Sequence, residues 1–462
     1  MQLDSGLDSG LEVVPNELRG VHLSHQLYPE AVPNDETTLP EATTSEHGAN
    51  GTQDGRRSDD ATQKSWMNLT SGGEQKERKY RFPIPIPYVI SIAVILILGA
   101  IAGGVAGGIK SSANKPNPPT NVADTSNINI LAESKLSATN WTDLNGFTHR
   151  FVFFQDTSNA LVVRRWDSQN RTWATNNLTD ILSSTRTPLN PLRPSTPLAS
   201  VACHFKNTTN SVHLYYVAPN NVVLGVAVYD LLAGPDNWEY DSALGVGAAL
   251  VTSPGSQLAA IWNRCSADNC AGWWALAYQA LPDSAVNVAN ASNWKSPIVV
   301  QSRVAQNSSL AMISEMDTKA DSLTRITLMS EALQTPNSGI GHKTSYQNQA
   351  RGWKDDGPLL HDTSLPPPSP TLQFAISTLD HFATPVFLCL LPNGAVTGEY
   401  WRKGFISIQR VEFRGGPATV NFSAIAASEE AMFYGVSNDE ILQYSINATD
   451  PSIFQFVDRV YP

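Results

Sequence analysis

Cysteine is scarce in this chain. The four thiols, Cys203, Cys265, Cys270 and Cys389, never occur as CxxC and have no histidine at ligand spacing, so no metal site and no cofactor are expected. Charge is scarce too, at 16% of residues, with 31 basic against 42 acidic side chains and a net charge of −11. There is no basic block outside one short stretch, Lys76 to Arg81, which excludes nucleic acid as an expected partner. Beyond Glu133 no amphipathic helical pattern of useful length occurs, which removes the α and α/β classes.

What the chain does have is one uncharged apolar run, YVISIAVILILGAIAGGVAGGI, from Tyr88 to Ile109. A helix needs roughly 20 apolar residues to cross a bilayer, and this run is long enough. A cleavable signal would begin at the extreme N-terminus, so the run reads as an uncleaved signal anchor over 83–110. Lys76, Arg78, Lys79 and Arg81 precede it and only Lys110 and Lys115 follow closely, which places the N-terminus in the cytoplasm and the C-terminal part outside or in a lumen. The expected partner of Tyr88 to Ile109 is therefore the lipid bilayer. Gly99, Gly103 and Gly107 make small-xxx-small steps that would let two anchors pack as a homodimer. The N-x-[ST] triplets gather beyond the run, at Asn140, Asn170, Asn177, Asn207, Asn290, Asn307, Asn421 and Asn447, and are candidate glycosylation sites. Residues 1–82, poor in aromatics and without sustained periodicity, read as a disordered tail, and 111–132 as a Pro- and Asn-rich stalk. Cys265 and Cys270 enclose only SADN and are candidates for a local disulfide; Cys203 and Cys389 either pair or stay buried and free.

From Glu133 onward short runs of Val, Ile, Leu, Phe, Tyr and Trp alternate with turn residues, and a unit recurs six times. Each unit opens on a small-residue apolar strand, continues through a hairpin and closes on an aromatic. The second reads PLASVACHF, SVHLYYV, the turn APNN, VVLGVAVYD and Trp238. The first reads LSATNW, HRFVFFQ, DTSN, ALVVRRWD and Trp173; later units open at Gln257, Ser309, Thr371 and Asn421 and close on Trp294, Trp353, Phe405 and Phe454. Four strands per unit at this period predict an all-β, six-bladed β-propeller over 133–462, the small residues of each first strand lining the crowded axis.

An anchored chain with six aromatic-closed units resembles the fungal fucose-specific lectins, the hairpins His149 to Trp173 and Val212 to Asp230 carrying the resemblance. The resemblance implies glycans, of fucose type, held between adjacent blades: an Arg on the second strand and a Glu on the third grip hydroxyls, and aromatics cover the apolar face of the sugar. In this chain those two places read Phe151 and Val163, His213 and Gly225, and Phe387 and Gly398 with Glu399 one step on; the third-strand place of the sixth unit is Gln443. No unit keeps both members. The remaining candidate sugar-binding residues are Arg150, Arg164, Trp166, His213, Arg325, Glu399, Trp401 and Arg402. The expected function is glycan binding without catalysis. The competing reading is an interaction or structural propeller whose sugar sites have decayed. A propeller glycosidase is not supported, because DSQNRTW lacks the spacing of a sialidase Asp-box and no carboxylate pair stands out.

Overall fold

A computed structural model describes residues 129–462, apart from 144, 185–191, 204–210, 230–236, 242–243, 245–248, 264–272, 291–292, 294, 318–321, 336–337, 348–351, 362–364 and 370. The expected anchor Tyr88 to Ile109, the tail and most of the stalk lie outside the described residues, as do Cys265, Cys270, Asn207 and Trp294. Among the described residues no helix is long and apolar enough to cross a membrane.

Six sheets follow one another along the chain. Blade 1 is β1 (Ser137–Thr142), β2 (Thr148–Gln155), β3 (Leu161–Asp167) and β4 (Trp173–Asn177), followed by a short helix α1 (Leu178–Ser183). Blade 2 is β5 (Leu198–Cys203), β6 (Ser211–Val217), β7 (Val223–Val228) and β8 (Glu239–Tyr240). Blade 3 is β9 (Leu258–Asn263), β10 (Trp273–Gln279), β11 (Val286–Asn290) and β12 (Ile298–Gln301); blade 4 is β13 (Ala311–Asp317), β14 (Ser322–Thr335), β15 (Ser338–Gln347) and β16 (Gly352–Leu359). Blade 5 is β17 (Gln373–Leu379), β18 (Thr384–Leu390), β19 (Val396–Trp401) and β20 (Phe405–Ile408). Blade 6 departs from the expected four strands. β22 (Ala424–Ser428), β23 (Met432–Ser437), β24 (Glu440–Ile446) and β25 (Ile453–Tyr461) form its meander, and β21 (Glu412–Arg414) joins the outer edge parallel to β25.

The innermost strands touch in the order β1, β5, β9, β13, β17, β22 and back to β1, which closes the six-bladed ring. They line a channel of only about 110 Å³ with Ala138, Ala199, Ala260 and Ser428 among its walls, as the small residues of the repeat require. A lone blade cannot hide both faces. Successive side chains point to opposite faces, and the middle strands, apolar on both sides except for polar positions such as those of β15 in blade 4, are covered on each side by the neighbouring blade. Phe151, Phe153 and Val163 thus pack with Leu214, Tyr216, Val226 and Trp238 between blades 1 and 2. Val152, Phe154 and Val162 pack the other way against Tyr434, Ile441 and Val460 of blade 6. Each such side chain contributes on the order of 2 kcal/mol by leaving water. Trp173, Trp353 and Phe405 each sit in a fourth strand, Trp238 lies just before β8 with 2% exposure, and Phe454 lies in β25.

The repeat is also legible in hydrogen bonds. A hydroxyl placed just before an inner strand accepts from the backbone N–H near the end of that blade's second strand: Ser134 from Gln155 (2.8 Å), Thr196 from Val217 (2.9 Å), Ser256 from Gln279 (2.9 Å) and Ser308 from Glu331 (2.8 Å). Gln155 then reaches the next blade, donating from Nε2 to Arg193 O (3.1 Å) and accepting from Thr196 N–H (2.9 Å). Gln279 Nε2 donates likewise to Ala305 O (2.9 Å). The ring is fastened where blade 6 meets blade 1: Arg164 Nε donates to Val460 O (2.7 Å) and Trp173 Nε1 to Asp458 Oδ2 (3.1 Å). Cys203 and Cys389 are both free and buried, and burial pushes the Cys203 thiol up to about 12, so of the two alternatives the unpaired one holds.

Candidate functional site

Register decides which side chains face each junction. In blade 4 the inner-strand residue Glu315 lies across from Arg325, and Thr327 of β14 across from Ser345 of β15. This face looks toward blade 5, because Ile313 and Met329, on the same face, pack against Phe374, Ile376 and Phe387. From blade 5, Phe387 of β18 lies across from Glu399 of β19, and Trp401 two residues on lies across from Phe405 of β20. The alternation of two strands therefore brings a charged face against an aromatic one.

The geometry of this junction is dense. Arg325 Nη2 donates to Asp356 Oδ2 at 2.6 Å and to Ser345 Oγ at 3.1 Å, with its Nε 3.7 Å from Glu315 Oε2. Lys343 Nζ donates to both Glu315 oxygens, at 3.0 and 3.2 Å, and stands 5.5 Å over the Phe387 ring. Glu315, Lys343 and Glu399 are buried. Glu399 accepts from the His361 backbone N–H and lies 3.3 Å from His361 Nδ1. Outside this layer the rings take over: Phe405 lies 5.4 Å from His361, 6.2 Å from Phe387 and 4.9 Å from Trp401. Trp401 and Phe405 are 43% and 37% exposed, an apolar shelf beside fixed donors and acceptors. Forked donors, carboxylates and ring faces together are what a polyhydroxylated ligand with an apolar C–H patch needs.

Two further junctions are polar. Between blades 2 and 3, His213 Nδ1 lies 3.0 Å from Asp241 Oδ2 and its Nε2 3.2 Å from Ser211 Oγ, while Tyr215 Oη donates to Asp241 at 3.3 Å. His213 and Tyr215 stack on Trp274 with ring centres 6.0 and 5.6 Å away. His213, Tyr215 and Asp241 are all buried, and burial together with the Asp241 charge pushes the Tyr215 phenol far up. Between blades 6 and 1, Arg150 lies 4.3 Å over the Trp166 ring, and Trp173 stands 6.5 Å from Trp166. Tyr434 and Gln443 lie across from each other on blade 6. Burial raises the Tyr434 phenol, with Arg150 opposing.

Several sequence expectations are corrected here. Phe387 and Gly398 do not share a face: Gly398 lies across from Leu388, toward blade 6, where a Cβ would fall 2.2 Å from Phe387 O. Glu399 is therefore the true partner of Phe387. The run Glu399 to Arg402 is not one patch, because alternation turns Glu399 and Trp401 toward blade 4 and Arg402 away from it. Arg402 is withdrawn as a ligand group of this junction, since its Nη2 donates to Ala448 O at 2.7 Å and sits 3.5 Å from Asp380. Arg164 is committed to Val460 O and Thr175 at the ring closure. Asn140 is 3% exposed in β1, so the folded ring leaves its amide no room for a glycan. Of the sequence candidates, Arg325, Glu399 and Trp401 lie on facing sides of one junction, whereas Arg150 and Trp166 form a separate pair and His213 belongs to another junction. Glu315, Lys343, Asp356, His361, Phe387 and Phe405 were not among the candidates. Ala311, Ile313, Glu315 and Arg325, Thr327 alternate on one face, and that period of two was the available signal.

No family model matches the chain, and no curated protein does. Solved structures do. A fungal lectin from Aleuria aurantia, described as a six-bladed β-propeller with a novel fucose recognition mode, superposes with a TM-score of 0.53 at 13% identity, covering 72% of this chain and 97% of its own. An arginine-substituted form of AofleA from Arthrobotrys oligospora gives 0.51 at 12% identity over 71% of this chain and 88% of its own. The SapL1 lectin in complex with α-methyl fucoside gives 0.50 at 12% identity over 72% and 98%. The fold is that of the fungal fucose-specific lectins.

Proposed function

We propose that this ring is a non-catalytic glycan-binding module, displayed outside the membrane by an anchor at Tyr88 to Ile109, and that the junction of blades 4 and 5 is its working site. The observation that carries the reading is the meeting of Arg325, Lys343 and Glu315 with Phe387, Phe405 and exposed Trp401 at one junction. A sugar would lay its C–H face on Trp401 and Phe405 and exchange hydroxyl hydrogen bonds with the charged groups. Fucose-type sugars are the first class to test, because lectins of like fold recognise fucose or hold α-methyl fucoside. A glycan array probed with the full-length chain tests the reading. Saturable binding competed by free sugar and lost in Trp401→Ala supports it; silence on every glycan sinks it.

One observation favours a second reading, a protein-interaction propeller with decayed sites. The places of the family's Arg and Glu are filled by Phe151 and Val163 in blade 1, both buried in the shared core. Under that reading the array is silent and the Trp401 shelf instead takes a protein partner. Release of reducing ends from an oligosaccharide would overturn both readings in favour of an enzyme.

A further inference from the structure

The residues just ahead of the inner strands form a mouth at one end of the ring axis, enclosing a cavity of about 930 Å³. Pockets of roughly 300–1,000 Å³ hold small ligands, and the 110 Å³ channel behind it is too narrow to admit them, so an occupant stays in the mouth. None of the charged or aromatic side chains named at the blade 4–5 junction lines it.

The lining is not neutral. Lys135 and Arg193 are its cations and Glu133 its carboxylate. Glu133 already accepts from Ser195 Oγ at 3.3 Å. Burial pulls the Lys135 ammonium down to about 8, with Glu133 opposing, so the amine sits in a site that an added anion would stabilise. Around these stand carboxamides and hydroxyls, among them Gln257, Asn421 and Thr371. Asn307 folds over Gly255, where a Cβ would meet its Oδ1 at 2.1 Å, and that buried oxygen has no hydrogen-bond partner. The apolar part is made chiefly of Leu391 and the prolines Pro194, Pro197, Pro254 and Pro392; the one aromatic of the lining, Phe422, is 4% exposed with its ring packed on Phe413 and Phe433, so it presents no open face. Such a lining lacks the ring platform on which a neutral sugar depends, while two cations against one carboxylate leave an excess of positive charge.

We propose that this axial mouth binds an anionic saccharide, its carboxylate or sulfate at Lys135 and Arg193 and its hydroxyls on the surrounding amides and hydroxyls. The two sources of the anion are separated by the probes. Galacturonate and galactose 6-sulfate are titrated by calorimetry into the full-length chain, with galactose as the uncharged control. At least one acid sugar binds about tenfold or more tightly than galactose, as expected when charge-assisted bonds replace neutral ones. Arg193→Gln, at a half-buried loop position, lowers that affinity by about tenfold, and Trp401→Ala leaves it unchanged. Lys135→Met gives a second reading of the same loss if it folds, and Arg193→Gln alone decides if it does not. Equal binding of galactose, no binding of either acid sugar, or an unchanged affinity in Arg193→Gln overturns the proposal. Loss in Trp401→Ala also overturns it and moves the acid sugar to the blade junction. An array silent on neutral glycans alone sinks the junction and leaves this site standing, since the two are read by different sugars and different variants.

Discussion

Glu331 offers a sharp test of how the ring is fastened. Its backbone N–H donates to Ser308 just as those of Gln155 and Gln279 donate to Ser134 and Ser256, so the three side chains occupy one place in the repeat. At the other two places a carboxamide donates to backbone carbonyls of the next blade. A carboxylate has nothing to donate. Glu331 is 0% exposed, neither of its oxygens has a hydrogen-bond partner, and burial raises its carboxyl from 4.5 to about 8. The sign follows. Between pH 4.5 and about 8 the unfolded chain has released this proton and the folded ring still holds it, so stability is greatest below 4.5 and falls as pH rises, levelling off above about 8. At about 1.4 kcal/mol per pH unit the penalty reaches roughly 3 kcal/mol at pH 7 and roughly 5 kcal/mol beyond pH 8.

Glu331→Gln removes the titration and restores the donor. The expected outcome in differential scanning calorimetry is a variant as stable as the parent at pH 4 and progressively more stable above it. For a ring of this size roughly 3 kcal/mol corresponds to about 4 °C in Tm at pH 7. An equal difference at pH 4 and pH 8 would refute the reasoning, because a buried neutral acid must reveal itself through pH. A variant less stable at every pH would refute it as well, since it would mean that the carboxyl has partners its amide cannot replace.

At the blade 4–5 junction, Trp401→Ala lowers glycan affinity by about tenfold in a competition assay while Tm stays within about 1 °C, because the side chain is 43% exposed. The double variant Glu315→Leu with Lys343→Val abolishes glycan binding yet leaves urea stability unchanged or raised by about 1–4 kcal/mol, as for other buried ion pairs replaced by apolar groups. Asp241→Ala strands the His213 and Tyr215 partners in a buried site and costs about 2–4 kcal/mol in the same urea assay. Trp173→Phe removes the 3.1 Å bond to Asp458 across the ring closure and costs about 1 kcal/mol, seen as a lower urea midpoint with unchanged slope.

The ring was legible in the sequence because its signals are local. Small residues such as Ala199 and Ala202 mark an inner strand, alternation such as VHLYYV marks a strand buried on both faces, and Trp173 or Trp353 marks a fourth strand. The site was only partly legible because it depends on register across strands. Counting along the chain pairs Phe387 with Gly398, and the ladder pairs it with Glu399; an error of one residue turns a side chain to the other face. Lys343 is reached only through the long β14–β15 hairpin, and His361 comes from the loop before blade 5, where no period operates. The short parallel strand β21 had no signature, since its three residues precede the unit they complete.

The contrast among junctions bears on why the charges are there at all. Blades 1 and 2 meet largely through Phe151, Val163 and Leu214, and blades 5 and 6 through Leu388, Phe433 and Tyr444. The same backbone geometry is therefore held together there by apolar contacts and backbone-directed hydrogen bonds such as Gln155 to Arg193 O, with no buried Glu–Lys pair among the described residues of either junction. At blades 4 and 5 the chain instead buries Glu315 to 5% and Lys343 to 8% exposure, which costs more desolvation than an apolar pair would and returns little net stability. Packing does not require those groups, and Trp401 and Phe405, linked to Lys343 through the Phe387 ring, stay 43% and 37% exposed. A costly buried charge cluster beside an exposed aromatic shelf is what the proposed ligand would bridge, and that is the physical ground on which recognition is proposed at this junction rather than at the apolar ones.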